Sequence, residues 1–164
     1  ARSVIAGSSI LLIPVQPSPY DIWSAEEIVN LVKEVQETLS TYKISAFVAH
    51  EDIEPTLIWQ DEIERGLYAM DAMVSVHTPG FSLSHWTQQE IGFALGRDIK
   101  IISLRMGEDP SGFLSKRQAL SRKNRKAEKI SEEIVKLLQE DSRTAEKLKG
   151  TQTEAFNLDD EITF

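Results

Sequence analysis

Short apolar runs alternate along this chain with longer stretches in which apolar residues follow helical spacing. The apolar runs cover residues 9–15, 44–49, 72–77 and 99–104, and they have the length expected of strands buried on both faces of a parallel sheet. Between these runs, apolar residues recur every three or four positions, which is typical of amphipathic helices. The alternation predicts an α/β fold: a doubly wound parallel sheet of four to five strands, flavodoxin-like, with right-handed crossovers.

Polar residues mark where the predicted helices begin. Ser24-Ala-Glu-Glu27 forms a capping box that predicts the start of the first helix. Pro55 suits the first position of the second helix. Ser84 is a good N-cap for a third helix that runs to Gly96. Each helix therefore has a start signal of its own.

The C-terminal third gives a weaker pattern. Residues 113–122 are predicted to form a short irregular or helical segment, and residues 124–149 a single amphipathic helix. The length of 164 residues and the hydrophobic share of 41% fit one domain over residues 1–150. Residues 151–164 then form an acidic tail.

Composition excludes several classes of function. The chain has no cysteine, which excludes disulfides, thiolate zinc sites and thiol nucleophiles, and fits a reducing compartment. No apolar run approaches the roughly 20 residues of a membrane span. We therefore expect a cytoplasmic protein with no membrane partner.

Charge is unevenly distributed. The formal net charge of -8 opposes nucleic-acid binding by the whole domain. Seven basic residues nevertheless cluster in one stretch: Lys116, Arg117, Arg122, Lys123, Arg125, Lys126 and Lys129. A solvated helix face is the favoured interpretation, and an anionic partner or a second subunit is the alternative. No aromatic residue interleaves this stretch, so a stacking platform for single strands is not expected.

The run from residue 78 to residue 90 carries the most specific signal. Thr78, Phe81, Ser84, Trp86 and Glu90 stand in an order that resembles the Ser-x-x-Phe-x-x-Ser-x-Trp-x-x-x-Glu signature of TIR domains, with threonine in place of the first serine. The resemblance implies a TIR-like fold. In the catalytic branch of that family the glutamate is essential for NAD cleavage.

The resemblance extends over about residues 38–120. It includes the predicted second strand and the loop at residues 50–57, which in this family gates the site and mediates TIR-to-TIR assembly. The implied partners are NAD, as a substrate and not as a cofactor, and further copies of the same domain. No other cofactor is implied.

The first 36 residues depart from the family. A Pro-rich loop, Val15-Gln-Pro-Ser-Pro-Tyr-Asp-Ile-Trp-Ser24, stands where TIR domains have a Ser- and Asp-containing loop. This unit resembles a strand-loop-helix piece of the partitioning-type P-loop ATPases. The chain has no Gly-x-x-x-x-Gly-Lys-Ser/Thr motif, so ATP hydrolysis of that type is not supported. One hypothesis is a chimera in which one βα unit was replaced; natural divergence is the other.

Glu90 is the candidate catalytic residue. Cleavage of the nicotinamide–ribose bond builds positive charge on the ribose, and one carboxylate can stabilise that charge or capture it as a nucleophile. The alternative is a surface glutamate near a helix start, which the helix dipole favours. The full signature favours the catalytic interpretation.

The candidate substrate-binding residues are Trp86, His50, Asp52, Tyr20 and Trp23. Core packing is somewhat favoured over a crevice position for Trp86. His50 and Asp52 lie on the loop after the second strand, on the ligand-facing side of such a sheet. Tyr20 and Trp23 either stack on a base or cover the end of the sheet.

The other histidines do not suggest a metal centre. His77 ends a buried strand and is expected to be a satisfied core histidine, while His85 is expected at the surface. No histidine pair has metal-ligand spacing, so no metal site is predicted.

Three functions are consistent with the sequence. The leading hypothesis is a TIR-type NAD glycohydrolase or cyclase. The second is a noncatalytic module that signals through TIR-to-TIR assembly. The third is an engineered chimeric α/β scaffold without activity of its own.

Overall fold

The computed structural model of this chain describes residues 9–13, 22–48 and 59–149. Tyr20, His50, Asp52, Pro55 and the acidic tail lie outside the described residues. The predictions made for them therefore stay predictions.

Five parallel strands form one sheet. The strands are β1 (Ser9–Ile13), β2 (Ile44–Val48), β3 (Ala72–His77), β4 (Lys100–Arg105) and β5 (Ala119–Ser121). Their order is β2-β1-β3-β4-β5, and every neighbouring pair is parallel. This confirms the predicted doubly wound, flavodoxin-like sheet. The strand order reverses between β1 and β3, and such a switch point is where open α/β sheets bind ligands, outside the carboxyl ends of the strands.

Helices cover both faces of the sheet. The helices are α1 (Ile22–Thr41), α2 (Trp59–Ala69), α3 (His85–Gly96) and α4 (Ala127–Glu140), and residues 142–149 form a further short helix. One apolar core lies between the sheet and helices α1 and α4. The other lies between the sheet and helices α2 and α3. No helix in the described ranges is long and apolar enough to cross a bilayer.

Strand β3 contributes to both cores. Val74 and Val76 belong to the α1/α4 core, whereas Met73 belongs to the α2/α3 core, because successive side chains of a strand point to opposite faces. All six residues of β3 are buried. The strand therefore occupies the centre of the sheet and fixes where the next loop and α3 begin.

Two predicted boundaries were wrong. Helix α1 begins at Ile22, so Ser24 lies inside the helix and is not its first cap. Residues 119–121 form the edge strand β5 within the segment expected to be irregular or helical. Three residues are too few to show a period of two, which is why the pattern missed this strand.

The predicted C-terminal helix is interrupted at Asp141. This residue is extended, with φ -92° and ψ 125°, and its carboxylate accepts a hydrogen bond from the Arg143 backbone N–H at 2.9 Å. Its carbonyl accepts hydrogen bonds from the backbone N–H groups of Thr144 and Ala145. Asp141 thus ends α4 and starts a separate helix, as an Asp at an N-cap position does.

Candidate functional site

A tight loop connects β3 to α3. Gly80 adopts the left-handed region, with φ 89° and ψ 0°, which glycine enters without steric cost. The chain then forms a 3₁₀ turn over Phe81–Leu83. The ring of Phe81 is buried in the α2/α3 core. The buried Phe81 side chain therefore anchors the loop to the α2/α3 core.

Phe81 and Ser84 together fix the first turn of α3. The Thr87 N–H donates to the Ser84 Oγ at 3.4 Å, which confirms Ser84 as the N-cap. The Thr87 hydroxyl donates to the Phe81 carbonyl at 2.7 Å, and the Gln88 side-chain amide donates to the same carbonyl at 3.2 Å. Phe81 and Ser84 thus orient the helix that carries Trp86 and Glu90, two further residues of the signature.

Glu90 is buried, with only 4% of its surface exposed. It lies three positions after Thr87 and one before Ile91, both of which are also buried, so it belongs to the helix face that meets the sheet. Burial disfavours the charged carboxylate and raises the pKa of Glu90 to about 7. The alternative of a surface glutamate is therefore wrong.

Trp86 is 41% exposed. The favoured expectation of core packing was therefore wrong, because Trp86 lies at the edge of the buried stripe formed by Thr87, Glu90 and Ile91 and not at its centre. The indole lies one helical turn from Glu90, on a surface that a ligand can reach. His85 is exposed, as expected.

His77 is a buried residue whose polar contact is satisfied within the fold, as the sequence predicted. Its Nε2 lies 2.9 Å from the Ser75 hydroxyl, and that hydroxyl is 3.3 Å from the Ser103 hydroxyl. Burial lowers the pKa of His77, against the opposing effect of the Glu108 carboxylate. The imidazole is therefore neutral at pH 7.

Glu108 is a residue that the sequence interpretation missed. Its carboxylate accepts the Gly80 N–H at 2.7 Å and the Ser82 N–H at 2.8 Å. Partial burial acts to raise its pKa, but the hydrogen bonds from Ser82 and Gly80 and the nearby His77 outweigh it and hold the pKa below the usual value. The one available signal was its place in the loop after β4, since neighbouring parallel strands end at the same edge of the sheet.

The basic cluster does not form a helix face. Its residues flank the short strand β5 and reach only the first turn of α4. Three of them are paired within the fold: Arg122 with Glu27, Arg125 with Glu133, and Lys129 with Glu132. The expectation that these basic residues form a solvated helix face was therefore wrong, because most of them do not lie on a helix.

The structure brings together part of the predicted site. Of the predicted site residues, Trp86 and Glu90 lie one turn apart on α3, and Glu108, which was not predicted, lies in the loop after β4. The side chain of Trp23, like Tyr20, His50 and Asp52, lies outside the described part of the structure. Within that part, no three His, Cys, Asp or Glu side chains are grouped so that they could hold a metal ion.

Comparison with known structures supports the fold. The TIR domain of the Toll-related receptor TRR-2 from Hydra magnipapillata superposes with a TM-score of 0.50 at 15% sequence identity. The match covers 69% of this chain and 82% of the receptor domain. Comparison with curated proteins gives no match.

Comparison with protein families identifies the chain. The TIR domain family matches residues 23–138, which is most of the chain and includes helix α1. The chimera hypothesis for residues 1–36 is not confirmed by this match and stays a prediction. Since the matched segment contains four of the five strands and the whole Thr78–Glu90 signature, this chain belongs to the TIR domain family.

Proposed function

We propose that this TIR domain cleaves the nicotinamide–ribose bond of NAD and that Glu90 is its catalytic carboxylate. The observation that carries the proposal is the burial of Glu90 at the signature position on α3. Burial raises the pKa of Glu90, which shows that its charged form is costly where it lies. Such costs are typical of functional sites, where a perturbed pKa serves the chemistry.

The reaction requires little from the protein beyond one carboxylate. The C–N bond breaks with its electron pair going to the nicotinamide nitrogen, which neutralises the pyridinium and leaves the positive charge on the ribose. Glu90 stabilises that charge or bonds to the ribose carbon. Water then adds and releases a proton, or an adenine nitrogen closes a cyclic product. No strong general acid is needed because the leaving group departs as a neutral molecule.

The raised pKa of Glu90 is compatible with this role. A cation within about 4–6 Å favours the ionised form of a carboxyl group, so the bound nicotinamide ring would lower the pKa of Glu90 as it arrives. Few water molecules then screen the carboxylate, and its attraction for developing positive charge is strong. Substrate binding and activation of the carboxylate are thus coupled.

Other side chains complete the proposed binding site. Trp86 presents an accessible indole one turn before Glu90, and an aromatic face suits stacking on a nicotinamide or adenine ring. We include as further substrate-binding residues Tyr20 and Trp23, which follow β1 in the sequence, and His50 and Asp52, which follow β2. NAD is the substrate, and the proposal requires no other cofactor.

The test is NAD consumption with analysis of the product, at high protein concentration and with a crowding agent. The wild-type chain, Glu90→Ala and Glu128→Gln are compared, since Glu128 is an exposed glutamate in the first turn of α4. We expect turnover by the wild type and by Glu128→Gln and none by Glu90→Ala. Retained turnover in folded Glu90→Ala would remove the proposed role.

A second candidate function is homotypic TIR-to-TIR assembly without turnover. The observation that favours it is a set of large apolar side chains exposed around the start of α3 and in the loop after β4. Leu83 and Phe113 are each 84% exposed. Exposed apolar patches are typical of interaction sites. Concentration-dependent oligomers that leave NAD intact would support this candidate over the enzyme.

A further inference from the structure

We propose that Glu108 is a positioning residue: it clamps the loop that precedes α3 and thereby holds Glu90 in place. The proposal rests on the proposed function in so far as Glu90 acts on NAD. Glu108 lies outside the signature and on a different βα unit from Glu90, and four features of the structure connect it to Glu90.

The first contacts form the clamp itself. The Glu108 Oε2 accepts the Gly80 N–H at 2.7 Å, and the Oε1 accepts the Ser82 N–H at 2.8 Å. Each carboxylate oxygen thus binds one backbone amide, an arrangement that only a two-oxygen acceptor can make. The two amides lie at the start of the 3₁₀ turn and within it, so the clamp defines how the chain turns out of β3.

The second contacts hold Glu108 against β3. The N–H groups of Met106 and Glu108 both donate to the His77 carbonyl, at 2.9 Å and 3.2 Å. The loop after β4 is therefore tied to the last residue of β3 by its backbone as well as by its carboxylate.

The third observation is a close approach between the two loops. Gly107 has a φ of +116°, and a Cβ built on it would lie 2.9 Å from the Pro79 Cδ. No L side chain fits this position without strain or displacement of the proline. The glycine next to Glu108 is thus required by the packing of the loops that the clamp joins.

The fourth contacts connect the loop held by Glu108 to the helix that carries Glu90. Phe81 lies between the two clamped amides, and its carbonyl accepts hydrogen bonds from the Thr87 hydroxyl and the Gln88 side chain. Thr87 precedes Glu90 by one turn on the same buried face. A loop released from Glu108 would free the Phe81 carbonyl, loosen the first turn of α3 and admit water to Glu90.

The matched pair of variants is Glu108→Gln and Asp109→Asn. Both remove one negative charge from the same loop, but Asp109 is exposed, and its ion pair within the described residues is with Arg105 at 3.2 Å. The glutamine keeps the shape of Glu108 while its NH₂ group faces a backbone N–H, so one of the two clamp bonds is lost.

The primary readout is the titration of the Glu90 carboxyl by carbon-detected NMR on the full chain. This measurement does not depend on turnover. We expect the Glu90 midpoint to fall towards the ordinary glutamate range in Glu108→Gln and to stay near the wild-type value in Asp109→Asn. Equal Glu90 titration in the two variants would overturn the proposal.

NAD turnover is the second readout. A misplacement of about 1 Å costs roughly 100-fold in rate, so we expect kcat to fall about 10- to 100-fold in Glu108→Gln with a smaller change in KM, and no such change in Asp109→Asn. A wild type without turnover would remove the proposed NADase function, while the carboxyl titration would still decide whether Glu108 positions Glu90.

A measurement on the wild type covers the case in which Glu108→Gln does not fold. Acid titration of Glu108 is followed at the Gly80 and Ser82 amide resonances, and the Thr87 and Gln88 amides are recorded in the same spectra. We expect the chemical shifts of all four amides to change together, over the pH range in which Glu108 titrates. The proposal would be overturned if the chemical shifts of the Thr87 and Gln88 amides did not change as Glu108 titrates.

Discussion

Glu90 combines a high cost of burial with a central role in the proposed reaction. The folded chain keeps this carboxyl protonated up to a pH of about 7, whereas the unfolded chain releases the proton near 4.5. The folded state thus binds more protons between these two values, and stability falls as pH rises through that range. Above pH 7 the full cost of the buried charge is present.

The first prediction concerns this cost. Glu90→Gln removes the charge. We therefore expect the free energy of unfolding of the variant, relative to that of the wild type, to be higher at pH 8 than at pH 4. The shift from 4.5 to about 7 corresponds to on the order of 3 kcal/mol. Urea denaturation at the two pH values measures the change, with Glu128→Gln as the control. A stability difference independent of pH would show that Glu90 is not buried as described.

The second prediction concerns catalysis. In the proposed reaction the ionised carboxylate is the active form, so kcat/KM for NAD should rise with pH and level off above the pKa of about 7 in the free protein. Below that value we expect a fall of about tenfold per pH unit. Initial rates between pH 5.5 and 8.5 give the profile. A flat profile would contradict a reaction step that needs ionised Glu90.

Among the elements, the loop between β3 and α3 depends on one aromatic anchor. The ring of Phe81 is buried and lies 4.4 Å from the His77 ring, while Phe113 is an exposed phenylalanine in the next loop. The same residue type thus occurs at two adjacent loops in opposite environments.

The third prediction uses this pair. Phe81→Ala should lower the free energy of unfolding by about 3–5 kcal/mol because it leaves a cavity in the α2/α3 core. Phe113→Ala should change it by no more than about 0.5 kcal/mol. Chemical denaturation of both variants checks the contrast. Equal effects would mean that the loop is not anchored through Phe81.

The sequence predicted the central elements better than the C-terminal ones. Strand β3 and the Ser84 cap were predicted at the observed residues, because an apolar run of strand length and a capping residue are strong local signals. Strand β5 was missed because three residues at a sheet edge carry no period. The break at Asp141 was missed because, after the polar residues 139–144, Ala145 and Leu148 resume the helical phase of Leu138.

The site was predictable only in part for a similar reason. The signature identified Glu90, yet its burial depends on how α3 packs against the sheet, which spacing alone does not determine. Glu108 was missed because its partners are backbone amides of a loop 26 and 28 residues earlier in the chain. A contact to a distant backbone group leaves no trace in residue types, unlike the local cap that Ser84 makes on Thr87.

At the scale of the whole molecule, the exposed apolar side chains bear on assembly. Leu83 follows β3 and Phe113 follows β4, so both lie towards the carboxyl edge of the sheet, where the proposed site also lies. Tyr42 precedes β2 and lies at the opposite edge. An assembly surface at the carboxyl edge would link self-association to the site.

The fourth prediction tests that link. Leu83→Ser and Phe113→Ser should weaken the proposed self-association because each removes apolar surface from the proposed interface, whereas Tyr42→Ser should leave it unchanged. Sedimentation velocity over a range of protein concentrations measures the effect. An equal loss in all three variants would argue against a specific surface at the carboxyl edge.

The most direct test of the central claim is the initial rate of NAD loss at pH 8 for the wild type and Glu90→Gln, measured side by side at high protein concentration. The glutamine has nearly the same shape and cannot carry the negative charge. We predict steady conversion of NAD by the wild type and none above background by Glu90→Gln. Equal rates in the two proteins would contradict the assignment of Glu90 as the catalytic carboxylate.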